Sequence, residues 1–222
     1  MILVSILLLQ VRLELDLNPG TIRKYEVIRD YRSIDVDEQT AFHETVTFEV
    51  LKDKEEGRRK LTVSYLPKKT VLDGHSIPEG PGSVPLLRQE QRLSNGQVFL
   101  REMFPYEPLV RERQTRVLDL RFLADPIKVG SEWARDVPEN KGDGIPPAHW
   151  TWTCEKIDEK SVTIRLAFAE RECLVPITAE GTLTVDRKSG WYESVDVLVK
   201  NTVAPGDSEG VPANLKFIWK RL

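Results

Sequence analysis

Few residues in this sequence have a spacing that could support catalysis. Residues 206–210 read Gly-Asp-Ser-Glu-Gly, close to the Gly-Asp-Ser-Gly-Gly of trypsin-like proteases except for the glutamate. A nucleophilic serine needs a histidine base beside it, whereas His43, His75 and His149 lie far apart in the chain with no triad context. We interpret this segment as a polar surface turn.

Metal ligation and acid–base chemistry have equally little support. No short His-x-His or His-Glu-x-x-His spacing occurs. Residues 142–144 and 186–190 offer carboxylates without the alternation of a calcium loop, so ordinary turns are expected. Neighbouring carboxylates such as Asp35 and Asp37, or Glu55 and Glu56, have no defined separation in a sequence and are expected to be solvated. We predict no catalytic residues, no metal and no cofactor.

Tryptophan is the residue type most relevant to binding. Large aromatic side chains with a polar edge can stack on sugars or line a pocket for an acyl chain, and they also pack cores. Trp150 and Trp152 lie on one face of a run beside the proline-containing residues 145–149, where we expect a pocket mouth. The candidate ligand-binding residues are Trp133, His149, Trp150 and Trp152, and the remaining tryptophans are Trp191 and Trp219.

Strands must position these side chains, because short alternating apolar runs separated by Gly, Pro and acidic turns recur along the chain. We predict an all-β, mainly antiparallel fold of about a dozen strands: a curved meander sheet, an open barrel or a sandwich, with at most one or two short helices. The alternating runs are 11–17, 25–27, 46–50, 61–65, 118–122, 150–154, 162–168, 183–185, 191–199 and 215–219.

Several connections are predicted from turn chemistry. Ser94-Asn95-Gly96 is typical of a tight hairpin turn. If the apolar faces of 150–154 and 162–168 lie together, the residue numbers of two directly opposed partners must add up to an even number. This favours a three-residue connection around Glu159 and Lys160. Residues 52–57 are expected to form a charged turn, 72–85 a surface loop, and 108–122 a short helix or loop followed by a strand.

The domain prediction is one β-rich domain over residues 11–222, with a candidate joint near residues 105–116. Residues 1–10 are either the remnant of a signal peptide or a first strand. Their apolar run, residues 2–9, is shorter than the roughly 20 residues of a transmembrane helix. It also has no basic start and no small-residue cleavage site. We expect no transmembrane span.

Charge and cysteine content limit the choice of partner and compartment. The chain has 32 Lys and Arg against 35 Asp and Glu, a net charge of −3. Nucleic acid is therefore not expected as a partner, because phosphate binding requires a basic surface. Export would allow Cys154 and Cys173 to form a single disulfide, but the favoured interpretation is two buried thiols.

One stretch resembles a known group of proteins. Residues 123–133 read Leu-Ala-Asp-Pro-Ile-Lys-Val-Gly-Ser-Glu-Trp, and residues 181–186, Gly-Thr-Leu-Thr-Val-Asp, are followed by Lys-Ser-Gly-Trp at 188–191. The pattern resembles exported β-rich bacterial proteins of unknown function, a domain-of-unknown-function family. It covers residues 115–201 and, to a lesser extent, 11–30. The resemblance implies a curved antiparallel sheet, a periplasmic, envelope or secreted location, and no catalytic residues. The amino terminus departs from the family, which has a full signal peptide or a lipid-acceptor cysteine there.

The function predicted from these observations is non-catalytic. We expect an envelope or secreted protein, or otherwise a cytoplasmic one, whose sheet binds an apolar molecule or a protein partner. The alternative is a protein that binds or hydrolyses polysaccharide with exposed tryptophans and a carboxylate pair. A purely structural module is the third interpretation.

Overall fold

Within the described part of the chain, the fold is a single antiparallel sheet of twelve strands. The computed structural model describes residues 10–55, 57–80, 83–102, 108–204 and 211–222. Its strands follow the sheet order β6-β5-β3-β2-β1-β12-β11-β10-β9-β8-β7, with β4 paired to the second half of β3. The strands are β1 Ile22–Ser33, β2 Gln39–Glu55, β3 Arg58–Leu72, β4 His75–Pro78, β5 Leu86–Arg92, β6 Val98–Arg101, β7 Glu132–Val137, β8 Ala148–Ile157, β9 Ser161–Glu170, β10 Thr178–Asp186, β11 Tyr192–Ala204 and β12 Val211–Arg221.

The sheet curls strongly but does not close into a barrel. Phe48 on β2 lies three strands away from β11, a distance of roughly 14 Å in a flat sheet. Nevertheless its ring centroid is 5.5 Å from that of Trp191, immediately before β11. Within the part of the chain that the structure describes, the terminal strands β6 and β7 do not pair with each other. The predicted all-β, curved sheet is confirmed, and the sandwich alternative is wrong because all strands belong to one sheet.

The inner face of the sheet forms the hydrophobic core. Alternate residues on each strand point inward, as the apolar alternation predicts. Their side chains form one buried cluster that extends from Leu61 on β3 to Trp152 on β8. The Trp152 and Leu166 positions are paired, with the predicted even sum, and residues 158–160 are the predicted three-residue connection.

Two extended segments cover this inner face, and we call residues 10–17 and 116–127 the covering segments. Their apolar side chains alternate and are buried in the same core. Neither segment forms a strand, so the predicted strands at 11–17 and 118–122 are wrong. The hydrogen bonds explain why: Val11 pairs with Ile127, whereas Leu15 N–H donates to Ser94 O and Asp16 N–H donates to Ser189 O. A ladder needs one continuous partner, and these segments bond to several.

Two hairpin glycines allow the covering segments to approach. Gly96 has φ +83°, and a Cβ there would lie 2.4 Å from Leu120 O. Gly190 has φ +68°, and its Cβ would lie 2.4 Å from Glu14 O. Both positions therefore require a residue that has no side chain and tolerates a left-handed backbone.

A short helix, α1 Pro108–Thr115, precedes the second covering segment, which begins with a 3-10 turn, Arg116–Leu118, before the chain becomes extended. The predicted short helix is thus confirmed. The hairpin at Ser94-Asn95-Gly96 is also confirmed, since it joins β5 and β6. The loop at 72–85 is partly wrong because His75–Pro78 pairs with β3, and the turn at 52–57 is shorter than predicted because β2 continues to Glu55.

Some expectations concern residues beyond the described ranges. Residues 1–9 of the segment 1–10, predicted as a signal remnant or first strand, lie outside the described residues, as do residues 206–210, predicted as a polar turn. Among the described helices, none has the length and apolar character needed to cross a membrane. Both cysteines are free thiols; Cys154 is buried as expected, but Cys173 is only half-buried.

Candidate functional site at the β7–β8 edge

The predicted tryptophans come together at one edge of the sheet. Trp133 lies on β7, and Trp150 and Trp152 lie on the neighbouring β8, all on the inner face. Their exposed fractions are 8%, 3% and 1%. Trp191 and Trp219 are also buried, so all five tryptophans pack in the core, and the exposed platform that the polysaccharide alternative needs does not form.

Trp133 and Trp152 form a stacked pair that holds the second covering segment. Their ring centroids are 6.0 Å apart with an interplanar angle of 26°. Trp133 Nε1 donates a hydrogen bond to Arg121 O at 2.7 Å. The pair therefore fixes residues 119–124 along this edge of the sheet.

A cavity of about 440 Å³ opens beside this pair, and we call it the tryptophan cleft. Trp152 Nε1 is buried and has no hydrogen-bond partner among the described residues. The only ion pair among the cleft residues is Arg12 with Glu14 at 3.0 Å, and it is solvent-exposed. Apolar side chains from both covering segments and β7–β8 form most of the wall: Leu13, Phe122, Leu123, Ala124, Trp133, Ala134 and Trp152, with Arg12, Glu14, Ser94, Asn95 and Arg121 as polar neighbours.

A second cavity of about 310 Å³ lies near the start of the same covering segment, and we call it the arginine cavity. Trp150 and Ile145 line it, together with side chains of β6 and β7. Trp150 packs edge-to-face on Phe168, with ring centroids 4.8 Å apart, and its Nε1 is buried without a partner in the described chain. A cavity does adjoin Trp150 and the 145–149 loop, whereas Trp152 belongs to the tryptophan cleft.

His149 is separated from the tryptophans. It alternates with Trp150 along β8, so its side chain lies on the outer face. Its Nδ1 is 2.8 Å from Asp136 Oδ1, and its Nε2 is 3.2 Å from Thr151 Oγ1. His149 therefore forms a surface hydrogen-bond network and does not line either cavity. That any of the four predicted residues binds a ligand stays a prediction.

Buried charges on the inner face are the feature that sequence reasoning missed. Glu90 on β5 accepts hydrogen bonds from Arg88 Nη2 at 2.8 Å, Arg92 Nε at 2.8 Å and Arg101 Nε at 3.1 Å. Burial alone would raise the pKa of Glu90, but attraction to Arg92, Arg101 and Arg88 outweighs burial and holds the pKa well below its usual range. Arg101 also bonds to Glu112 and Asp119. The sequence has no clear signal for this arrangement, because residues 88–92 read Arg-Gln-Glu-Gln-Arg without apolar alternation, while the apolar Leu87 is 60% exposed.

Helix α1 is likewise held by polar contacts. Gln114 accepts a hydrogen bond from Tyr31 Oη at 2.9 Å and donates to Thr202 Oγ1 at 2.8 Å. Glu170 at the end of β9 accepts from Arg113 Nε at 3.0 Å and Arg116 Nη2 at 2.6 Å. Burial raises the pKa of Tyr31, which keeps the phenol protonated as a donor.

The predicted turn segments are ordinary turns in the structure. Asp186 Oδ1 accepts hydrogen bonds from the backbone N–H of Lys188 and Ser189 and from Ser189 Oγ. Asp143 Oδ2 accepts from Asn140 Nδ2 at 2.7 Å. Among the described residues, no group of three or more His, Cys, Asp or Glu side chains is placed to hold a metal ion.

Comparison with known proteins identifies a fold class and no family. No family model matches the sequence, and no curated protein matches it. A solved structure concerned with lipid–protein interactions in lipovitellin is similar, with a TM-score of 0.52 and 11% sequence identity. The match covers 93% of this chain and 25% of that one, so this chain spans about a quarter of that protein's length. At this identity the likeness concerns the curled antiparallel sheet alone.

Proposed function

We propose that this protein binds an apolar molecule in the tryptophan cleft. The observation that carries the proposal is a cavity of about 440 Å³ with the stacked Trp133–Trp152 pair in its wall. Small-molecule sites typically measure about 300–1,000 Å³ and are mostly apolar with a few polar groups. The cleft has this size and this composition.

A larger cavity of about 660 Å³ near Asp186 and Arg221 is lined mostly by charged and polar side chains, which do not suit an apolar ligand. The cavities inside the sheet are small. The cavity beneath α1, lined by Tyr65, Phe217 and Trp219, measures about 20 Å³, as does the cavity beside Gly96 and Trp191. Each has room for about one water molecule. The core of the sheet is therefore filled by its own side chains, and a ligand is better accommodated at the β7–β8 edge than between the sheet and α1.

One further observation supports an apolar ligand. The lipovitellin structure that has a similar sheet is titled for lipid–protein interactions. An envelope or secreted location, which the family resemblance implies, forms part of this proposal. The role is binding without catalysis.

The proposal is tested by filling the cleft. Ala124 lines it and is exposed, so Ala124→Trp adds bulk to the cleft at little cost to the core. We expect wild-type protein to bind the apolar dye Nile red and Ala124→Trp to bind it about tenfold more weakly, a loss of about 1.4 kcal/mol. Leu174→Trp, at a fully exposed loop position, is the matched control and binds as the wild type does.

The readouts are Nile red emission during titration and mass spectrometry of an organic extract of the purified protein. A co-purifying apolar compound that is depleted in Ala124→Trp supports the proposal. Equal dye binding by the wild type and Ala124→Trp contradicts the proposal. The proposal is also contradicted if the organic extract contains no apolar compound and the wild type does not bind the dye.

A further inference from the structure

Arg135 is a charged side chain without a partner on the inner face. It lies on β7 between Trp133 and Val137, and in the ladder it is paired with Trp150. It is half-buried, and it makes no hydrogen bond or ion pair with any residue that the structure describes. Burial lowers its pKa, and nearby Arg121 lowers it further against the opposing effect of Asp119.

Among the arginines that line the arginine cavity, Arg135 is the one without an acceptor in the described chain. Arg101 bonds to Glu112 and Asp119, and Arg116 bonds to Glu170 and to Pro146 O. The lining holds as many carboxylates as arginines, so the cavity has no net charge, but no carboxylate of the described residues bonds to Arg135 directly. A guanidinium that is partly removed from water without a direct counter-ion is unfavourable.

The Trp150 ring stands in the same wall. The ladder places Trp150 directly opposite Arg135. Opposed residues on neighbouring strands have Cβ atoms about 5 Å apart, so the ring borders the Arg135 side chain and can pack against the body of a ligand whose charged group pairs with the guanidinium. The remaining wall includes the apolar side chains of Val137, Pro138 and Ile145.

We propose that the arginine cavity binds a monocarboxylate with an apolar body, whose carboxylate pairs with Arg135 and whose body packs against Trp150 and Ile145. A single negative charge fits better than a doubly charged phosphate, because Glu112, Asp119 and Asp143 also line the cavity and repel a dianion. This site is separate from the tryptophan cleft and does not depend on it.

The test uses isothermal titration of the full chain with octanoate, octanol and octyl phosphate. We expect wild-type protein to bind octanoate, Arg135→Gln to lose at least about tenfold in affinity, and Arg135→Lys to retain part of it. Arg165→Gln is the matched control, since Arg165 lies on the outer face of β9, where it pairs with Glu155 at 3.4 Å. Ala124→Trp, which fills the other cavity, binds octanoate as the wild type does.

The Arg135→Gln variant is expected to fold, because it removes a charge that has no protein partner. Its melting temperature without ligand should equal or exceed that of the wild type, and a clear decrease would contradict the unpaired state of Arg135. The binding outcomes are judged in the Ala124→Trp background, where the tryptophan cleft is filled. There, octanol binding as tight as octanoate binding, octyl phosphate binding tighter than octanoate binding, or octanoate binding unchanged by adding Arg135→Gln would each overturn the proposal.

Discussion

Glu90 shows how a single residue organises the charged part of the inner face. Its side chain is fully buried, and three arginines surround it at 2.7–3.1 Å. Each buried charge loses its hydration, so the group is stable only while all members keep their partners. Removing the central carboxylate leaves three neighbouring cations with one partner fewer.

Replacing Glu90 with Gln is expected to lower the free energy of unfolding by about 3 kcal/mol. Urea denaturation at neutral pH measures the change. Glu180→Gln is the control, because Glu180 forms an exposed pair with Lys200 at 2.9 Å, and it should leave the midpoint unchanged. Equal midpoints for Glu90→Gln and the wild type would argue against this account.

The same substitution has a pH signature. Since the folded-state pKa of Glu90 lies below its ordinary value of 4.5, its contribution is fully present above that pH and is lost as the pH falls toward the folded-state pKa. We expect the stability difference between the wild type and Glu90→Gln to be constant near neutrality and to shrink in acid. If the stability difference between the wild type and Glu90→Gln grew in acid, the pKa of Glu90 would be raised in the folded protein and not lowered.

At the scale of elements, the β10–β11 hairpin depends on one close approach. Gly181 on β10 opposes Val197 on β11. A Cβ at Gly181 would lie 2.2 Å from Asp196 O and 2.6 Å from Val197 Cα. Both neighbours are backbone atoms, so a side chain can be accommodated only if the two strands separate.

Gly181→Ala is therefore expected to destabilise the protein by about 1–3 kcal/mol, the usual cost of overpacking. Thermal unfolding followed by circular dichroism measures it. Gly80→Ala is the matched control, because a Cβ at Gly80 has nothing within 4 Å. A melting temperature of Gly181→Ala equal to that of the control would show that the strands are not in close contact there.

At the scale of the whole molecule, one strand pair joins the two halves of the sheet. Strand β1 pairs with β12 from Tyr25–Arg221 to Ser33–Ala213, and within the described chain this ladder alone connects β2–β6 to β7–β11. The buried core is nevertheless a single cluster that extends across this pair. We expect the halves to unfold together.

A substitution in the amino-terminal half tests this coupling. Val63→Ala on β3 removes a fully buried side chain, while all five tryptophans lie at position 133 or beyond. We expect the urea midpoint measured by tryptophan fluorescence to fall by the same amount as the midpoint measured by far-ultraviolet circular dichroism. A shift in circular dichroism alone would instead support a domain joint near residues 105–116.

The candidate sites were only partly predictable. The three tryptophans at the β7–β8 edge could be identified from the sequence, because residue type and alternation are local features of the chain. Arg135 could not, since its significance lies in the ion pairs that its neighbours make elsewhere. His149 was grouped with Trp150 as a neighbour in sequence, but adjacent residues of a strand point to opposite faces.

Local periodicity alone predicted most of the long strands, several turns and an even-sum register between the runs 150–154 and 162–168, because side-chain alternation and turn chemistry act over a few residues. It could not establish that β1 pairs with β12, that the charges of β5 point inward, or that the alternating segments at 11–17 and 118–122 cover the sheet without joining it. Those outcomes depend on contacts between residues far apart in the chain. Alternation defines two faces for a segment, and only the assembled molecule determines what each face meets.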